Sequence, residues 1–136
     1  TQIGIRGNPR TLDWLQASYD IGYQVITMDE YKEFGHEKCA KMILDRLGDN
    51  PIYVTFDLDC LDTTVAPGTA NLEPAFRGFN MDEARKLIQS FKGRNVIGGD
   101  VACLMPTKDN PNNITSMVAA SIMFEIICLI SLNLNK

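Results

Sequence analysis

One histidine in 136 residues is too few for a metal site built from several imidazoles; His36 stands alone, and any site needing two must complete itself elsewhere. Basic residues are thin as well. Thirteen Lys and Arg face seventeen Asp and Glu, a net charge of −4, and they are scattered, so the basic stripe of a nucleic-acid groove is missing. No Cys-x-x-Cys pair exists. Cys39, Cys60, Cys103 and Cys128 lie far apart, which argues against structural zinc and, with a sizeable core, against a disulfide framework. They read as reduced, mostly buried thiols of a cytoplasmic protein. Glycine-rich phosphate loops are lacking, since Gly98-Gly99 leads into Asp100 and not into a helix start. A Ser/His/Asp triad has no elbow serine to offer the lone His36. The most apolar stretch, Met117 to Ile130, contains Ser121 and Glu125 and falls short of a bilayer span. It is expected to be a buried core helix, with no membrane partner.

What is present is ordinary globular composition, 45% hydrophobic and 22% charged, in the length of one domain. The chain opens on Thr1 inside a strand-like run, so residues 1–136 are expected to be the C-terminal part of a longer single domain.

Period-2 and period-3.6 segments alternate throughout. Strands are expected at Gln2 to Arg6, Tyr23 to Met28, Ile52 to Leu58 and Asn95 to Val101. A first helix is expected over Thr11 to Tyr19, with Leu12, Leu15 and Tyr19 on one side. A second has its stripe at Cys39, Met42, Ile43 and Leu47, and Gly48 ends it. In the third, Asn80 caps, Glu83 completes a capping box, and Ala84, Leu87, Ile88 and Phe91 form the stripe before Gly93. After the loop from Pro106 to Asn113, a terminal helix should run from Ile114 to about Leu132. Such alternation predicts an α/β fold, a parallel sheet covered by helices on both faces. Ligands of these sheets bind beyond the C-terminal strand ends, here just after Met28, Leu58 and Val101.

The third strand runs out in Asp57-Leu58-Asp59, and alternation sends both carboxylates to one face. Two close carboxylates repel unless a cation neutralises them, and hard ions such as Mg²⁺ or Mn²⁺ favour the arrangement. The loop that follows, Val65 to Pro74, is long, irregular and stiffened by two prolines, the kind of loop that carries function.

Phe56-Asp57-x-Asp59-x-x-Asp62 followed by Ala66-Pro67-Gly68-Thr69 resembles the second metal signature of the ureohydrolases, the arginase and agmatinase family. The likeness extends to Gln2-Ile3-Gly4-Ile5-Arg6, to Asn95 through Pro106, and to Ile114-Thr115 at the terminal helix, so it covers essentially the whole chain. It implies a three-layer, arginase-like α/β fold, left incomplete because the N-terminal part of the domain lies outside this chain. It also implies hydrolysis of a guanidino compound to urea and an amine by two Mn²⁺ ions, with agmatinase-like enzymes closest in look. Asp57 and Asp59 would be metal ligands, the remaining ligands coming from the N-terminal part, while Asp62 braces the loop. Two cations lower the pKa of a shared water and so supply a nucleophile near neutral pH. The catalytic acid/base is not identified. A homo-oligomer, trimer or hexamer, is implied.

The chain departs from the family pattern at two substrate-facing positions. Cys103 stands where the family has a Glu that pairs with the guanidinium, and Asn71 stands where Thr is usual; both are candidate substrate-binding residues, and Glu73 is the nearest acid that could replace the lost carboxylate. Two further readings remain open. One is a degenerate family member that keeps the fold without the catalysis. The other is a haloacid-dehalogenase-type phosphohydrolase, whose nucleophile loop shares Phe56-Asp57-Leu58-Asp59 but wants Gly-Thr where Cys60-Leu61 follow.

Overall fold

The computed structural model describes residues 1–7, 9, 11–72 and 77–134. Four strands alternate with helices, in the order β1 (Gln2–Ile5), α1 (Gln16–Asp20), β2 (Val25–Thr27), α2 (Met28–Phe34), α3 (His36–Leu47), β3 (Ile52–Asp57), α4 (Met81–Gln89), β4 (Val96–Ala102) and α5 (Ile114–Leu134), with 3₁₀ turns at Leu58–Cys60 and Pro106–Lys108. Both pairings among these four strands are parallel, as the alternation requires. The strands nevertheless form two sheets of two, β1 with β2 and β3 with β4.

Several boundaries differ from expectation, each for a local reason. The first helix shrinks to five residues, because residues 11–15 form turns and Leu12 is fully exposed, so there is no buried stripe to sustain it. The single helix expected after β2 is two. A capping box closes on Thr27, whose Oγ1 accepts from the Glu30 amide at 3.2 Å while the Glu30 carboxylate accepts from the Thr27 amide at 2.7 Å. That helix stops at Gly35, whose φ of +80° is open to glycine at no steric cost. The expected stripe then holds in α3, with Cys39 and Ile43 buried and Met42 and Leu47 packed against them. β3 ends at Asp57, not Leu58, because Asp57 caps the following 3₁₀ turn. The Asn80–Glu83 box forms as expected and buries Ala84, Leu87 and Ile88, although the helix ends at Gln89 and Phe91 falls in the next turn.

The terminal helix corrects the sequence reading twice. At 21 residues it is long and apolar enough to cross a membrane by length and composition, so shortness excludes nothing. Nor is it buried all round. Thr115, Ala119, Ile122, Ile126 and Leu129 form a buried stripe that packs along β4, where a Cβ on Gly99 would come within 2.8 Å of Ile126. Met117, Phe124 and Ile127 face away and are more than half exposed. Of the four free thiols, Cys39 alone is buried; the other three are half-buried.

Between β1 and β3 lies a cavity of about 600 Å³, lined along its length by Thr1 to Arg6 on one side and Ile52 to Asp57 on the other, with Leu87, Ile88 and Phe91 beneath. Among the described residues, the edges of β1 and β3 that flank this gap have no strand partner. Among the described residues, Phe79 and Arg6 reach across it. Phe79 packs its ring on Gly4, so closely that a Cβ there would lie 2.4 Å from the ring edge. Arg6 donates from Nη1 to the Asp59 carbonyl at 2.7 Å and from Nη2 to the Leu61 carbonyl at 2.9 Å.

Candidate metal centre

The parallel register of β3 and β4 sets Asp57 beside Ala102, so the first residue past β4, Cys103, falls next to the last residue of β3. Asp57 is a cap as well as a candidate ligand: its Oδ1 accepts from the Asp59 amide at 2.9 Å. That bond folds Leu58–Cys60 into a turn, so Asp59 reaches the site by a helical step and not by strand alternation. The outcome is the convergence expected, by a different backbone path. Asp57, Asp59 and Cys103 each bring a ligand atom to within 4.8 Å of the others. The Cys103 thiol donates to Asp57 Oδ2 at 3.2 Å.

Cys103 is held there at a cost. Its φ is +66°, a region that side-chain-bearing residues enter at about 1–3 kcal/mol. Backbone pairing with the loop after β3 imposes it: the Ala70 amide donates to the Cys103 carbonyl at 2.9 Å, and the Met105 amide to the Gly68 carbonyl at 2.8 Å. The Ala66-Pro67-Gly68-Thr69 signature is the foundation of this pairing. Ala66 and Thr69 are buried. The Gly68 amide donates to the buried Thr115 hydroxyl at 2.8 Å, and a Cβ on Gly68 would sit 2.8 Å from Asp109. Asp109 in turn anchors the start of α5: burial would raise its pKa, but the amides and hydroxyls of Ser116 and Thr115 outweigh this and hold it down at about 2.

Burial raises the Cys103 thiol to about 11, aided by its hydrogen bond to Asp57 and the negative charge of Asp57 and Asp59. Burial, then Asp57, pushes the neighbouring Cys60 to about 12. Both thiols are thus protonated at neutral pH while no cation is bound.

Asp62 stands outside the group and braces its loop, Oδ1 accepting from the Thr64 amide at 3.0 Å and from its hydroxyl at 2.6 Å. His36 also lies outside it, with Nδ1 3.3 Å from the Tyr31 hydroxyl. Asn71 lines the cavity between β1 and β3 together with Asp57 and Asp59, whereas Cys103 is not among the lining residues. Glu73 lies outside the described residues. Sequence reasoning missed Arg6, whose signal was its position directly after a strand, at the end of the sheet where sites form.

The Arginase family model matches residues 1–129. The chain belongs to the arginase family. Its relatives carry different names. Guanidinopropionase of Pseudomonas aeruginosa is 35% identical over 130 residues, 96% of this chain and 40% of that one. An agmatinase of Photorhabdus laumondii is 34% identical over 128 residues, covering 94% of this chain and 38% of the relative. Among solved structures, proclavaminate amidino hydrolase from Streptomyces clavuligerus superposes with a TM-score of 0.83 at 32% identity, over 97% of this chain and 42% of that one. The arginase-like fold inferred from the sequence is therefore the fold observed, and the chain spans about two fifths of the length of the relatives it matches.

Arginase-family membership bears on the three-donor group at the strand ends. Two carboxylates and a thiol within 4.8 Å of each other are a donor set that fits a divalent cation.

Proposed function

We propose that the complete protein is a binuclear, manganese-dependent amidinohydrolase that cleaves a guanidino compound to urea and an amine. The observation that carries this is the convergence of Asp57 and Asp59 at the C-terminal end of β3, in a chain of the arginase family. The two ions, when bound, lower the pKa of a shared water and so supply a nucleophile near neutral pH. The chain's own residues do the holding. Asp57 and Asp59 present carboxylate oxygens, and the hydrogen bond from the Asp59 amide to Asp57 Oδ1 together with the Arg6 fork fixes the turn between them. With one histidine in the chain, the remaining ligands come from elsewhere in the protein.

Identity does not select the substrate, since relatives of equal similarity carry the names of different ones. Asn71, which lines the same cavity as the two carboxylates, is a substrate contact this chain offers. The test is urea release by the Mn²⁺-loaded complete protein from a panel of guanidino acids and agmatine. Asp57→Ala or Asp59→Ala should lower turnover by about 100-fold or more. Turnover unchanged in both variants would refute the ligand roles.

A further inference from the structure

We propose that Cys103 is itself a metal ligand, giving one position of the centre an oxygen–oxygen–sulfur donor set that prefers a zinc-class ion to Mn²⁺. This rests on the reading of Asp57 and Asp59 as ligands and adds a third from the chain. Two observations about Cys103 lead to it. Its Sγ lies 3.2 Å from Asp57 Oδ2. Metal–sulfur and metal–oxygen bonds of about 2.3 and 2.1 Å, meeting at angles between a right angle and the tetrahedral one, set sulfur and oxygen about 3.1–3.6 Å apart. The observed pair therefore has the spacing of two corners of one coordination polyhedron. Asp59 completes a triangle whose ligand atoms all lie within 4.8 Å.

Ligation is a balanced exchange. The Sγ–H bond breaks, its proton leaves to solvent, and the sulfur lone pair goes to the cation; no oxidant or reductant takes part. A thiolate is a softer donor than the carboxylate that a Glu would bring, and it moves selectivity away from Mn²⁺ toward Zn²⁺, Co²⁺ and Cd²⁺.

Cobalt-loaded complete protein tests this. Its visible ligand-field bands report binding whatever the donors, and a near-ultraviolet thiolate-to-cobalt charge-transfer band reports sulfur alone. Wild type should show both. Cys103→Gly, which accepts a φ of +66° without strain, should keep the visible bands and lose the charge-transfer band, and Cys60→Ala should keep both. In competition, Cys103→Gly should also lose at least about tenfold of the wild-type preference for Cd²⁺ over Mn²⁺. Stoichiometric cobalt with visible bands but no charge-transfer band, or a band that survives Cys103→Gly, overturns the proposal and leaves Asp57 and Asp59 as ligands. No cobalt bound in wild type overturns both.

Discussion

Cys103 occupies a backbone conformation that glycine takes freely, and it is the only cysteine among the described residues to do so. The strain it stores makes an unusual stability prediction. Replacing cysteine by glycine removes a thiol hydrogen bond and loosens the unfolded chain, yet relieves the positive φ, and these effects oppose one another. Cys103→Gly in the metal-free complete protein should therefore stay within about 1 kcal/mol of wild type. Cys103→Val puts a β-branched side chain at the same φ and should lose roughly 1–3 kcal/mol. Urea denaturation midpoints at constant slope decide it. Equal losses in both variants would mean that the thiol, and not the backbone, governs stability here.

At the start of the terminal helix, the Asn110 side-chain oxygen accepts from the Ile114 amide and the Asp109 carboxylate holds the next two residues. Asp109 accepts from the Thr115 and Ser116 amides and the Ser116 hydroxyl, and its folded-state pKa of about 2 lies below the ordinary 3.8. A depressed acid contributes stability above its unfolded value, and the contribution disappears as pH falls through the folded one. Between about pH 4 and pH 2, wild type should lose thermal stability more steeply than Asp109→Asn, which has no carboxyl to protonate. Parallel slopes for the two proteins would contradict the anchoring role. How legible the elements were follows the same local chemistry. The Asn80–Glu83 box was plain because it precedes a clean stripe, whereas the Thr27–Glu30 box of the same kind was hidden at the end of a strand that it cuts short. The carboxylate pair was legible in sequence, but its backbone path was not, because a side chain capping its own turn breaks the alternation on which strand reasoning depends. Cys103 and Asp57 meet only through the β3–β4 register, which no local pattern encodes.

The two sheets face each other across a cavity of about 600 Å³, with apolar side chains below and strand edges on both flanks. Unpaired edges over an apolar gap are costly and invite association. On α5, Met117, Phe124 and Ile127 add a second uncovered apolar face. The isolated 136 residues should accordingly melt broadly or self-associate, and a sharp, reversible two-state melt of the monomer would overturn that expectation. Arg6 gives this divided architecture an asymmetry with evolutionary weight. Its fork grips the main-chain oxygens of residues 59 and 61, which every amino acid supplies, and not the carboxylates whose backbone it holds. Lysine, a point donor on a flexible stem, does not reproduce that two-pronged grip. A substitution of the Asp59 side chain therefore leaves the join between β1 and the turn in place. Chemistry and architecture are separately inherited at this one position.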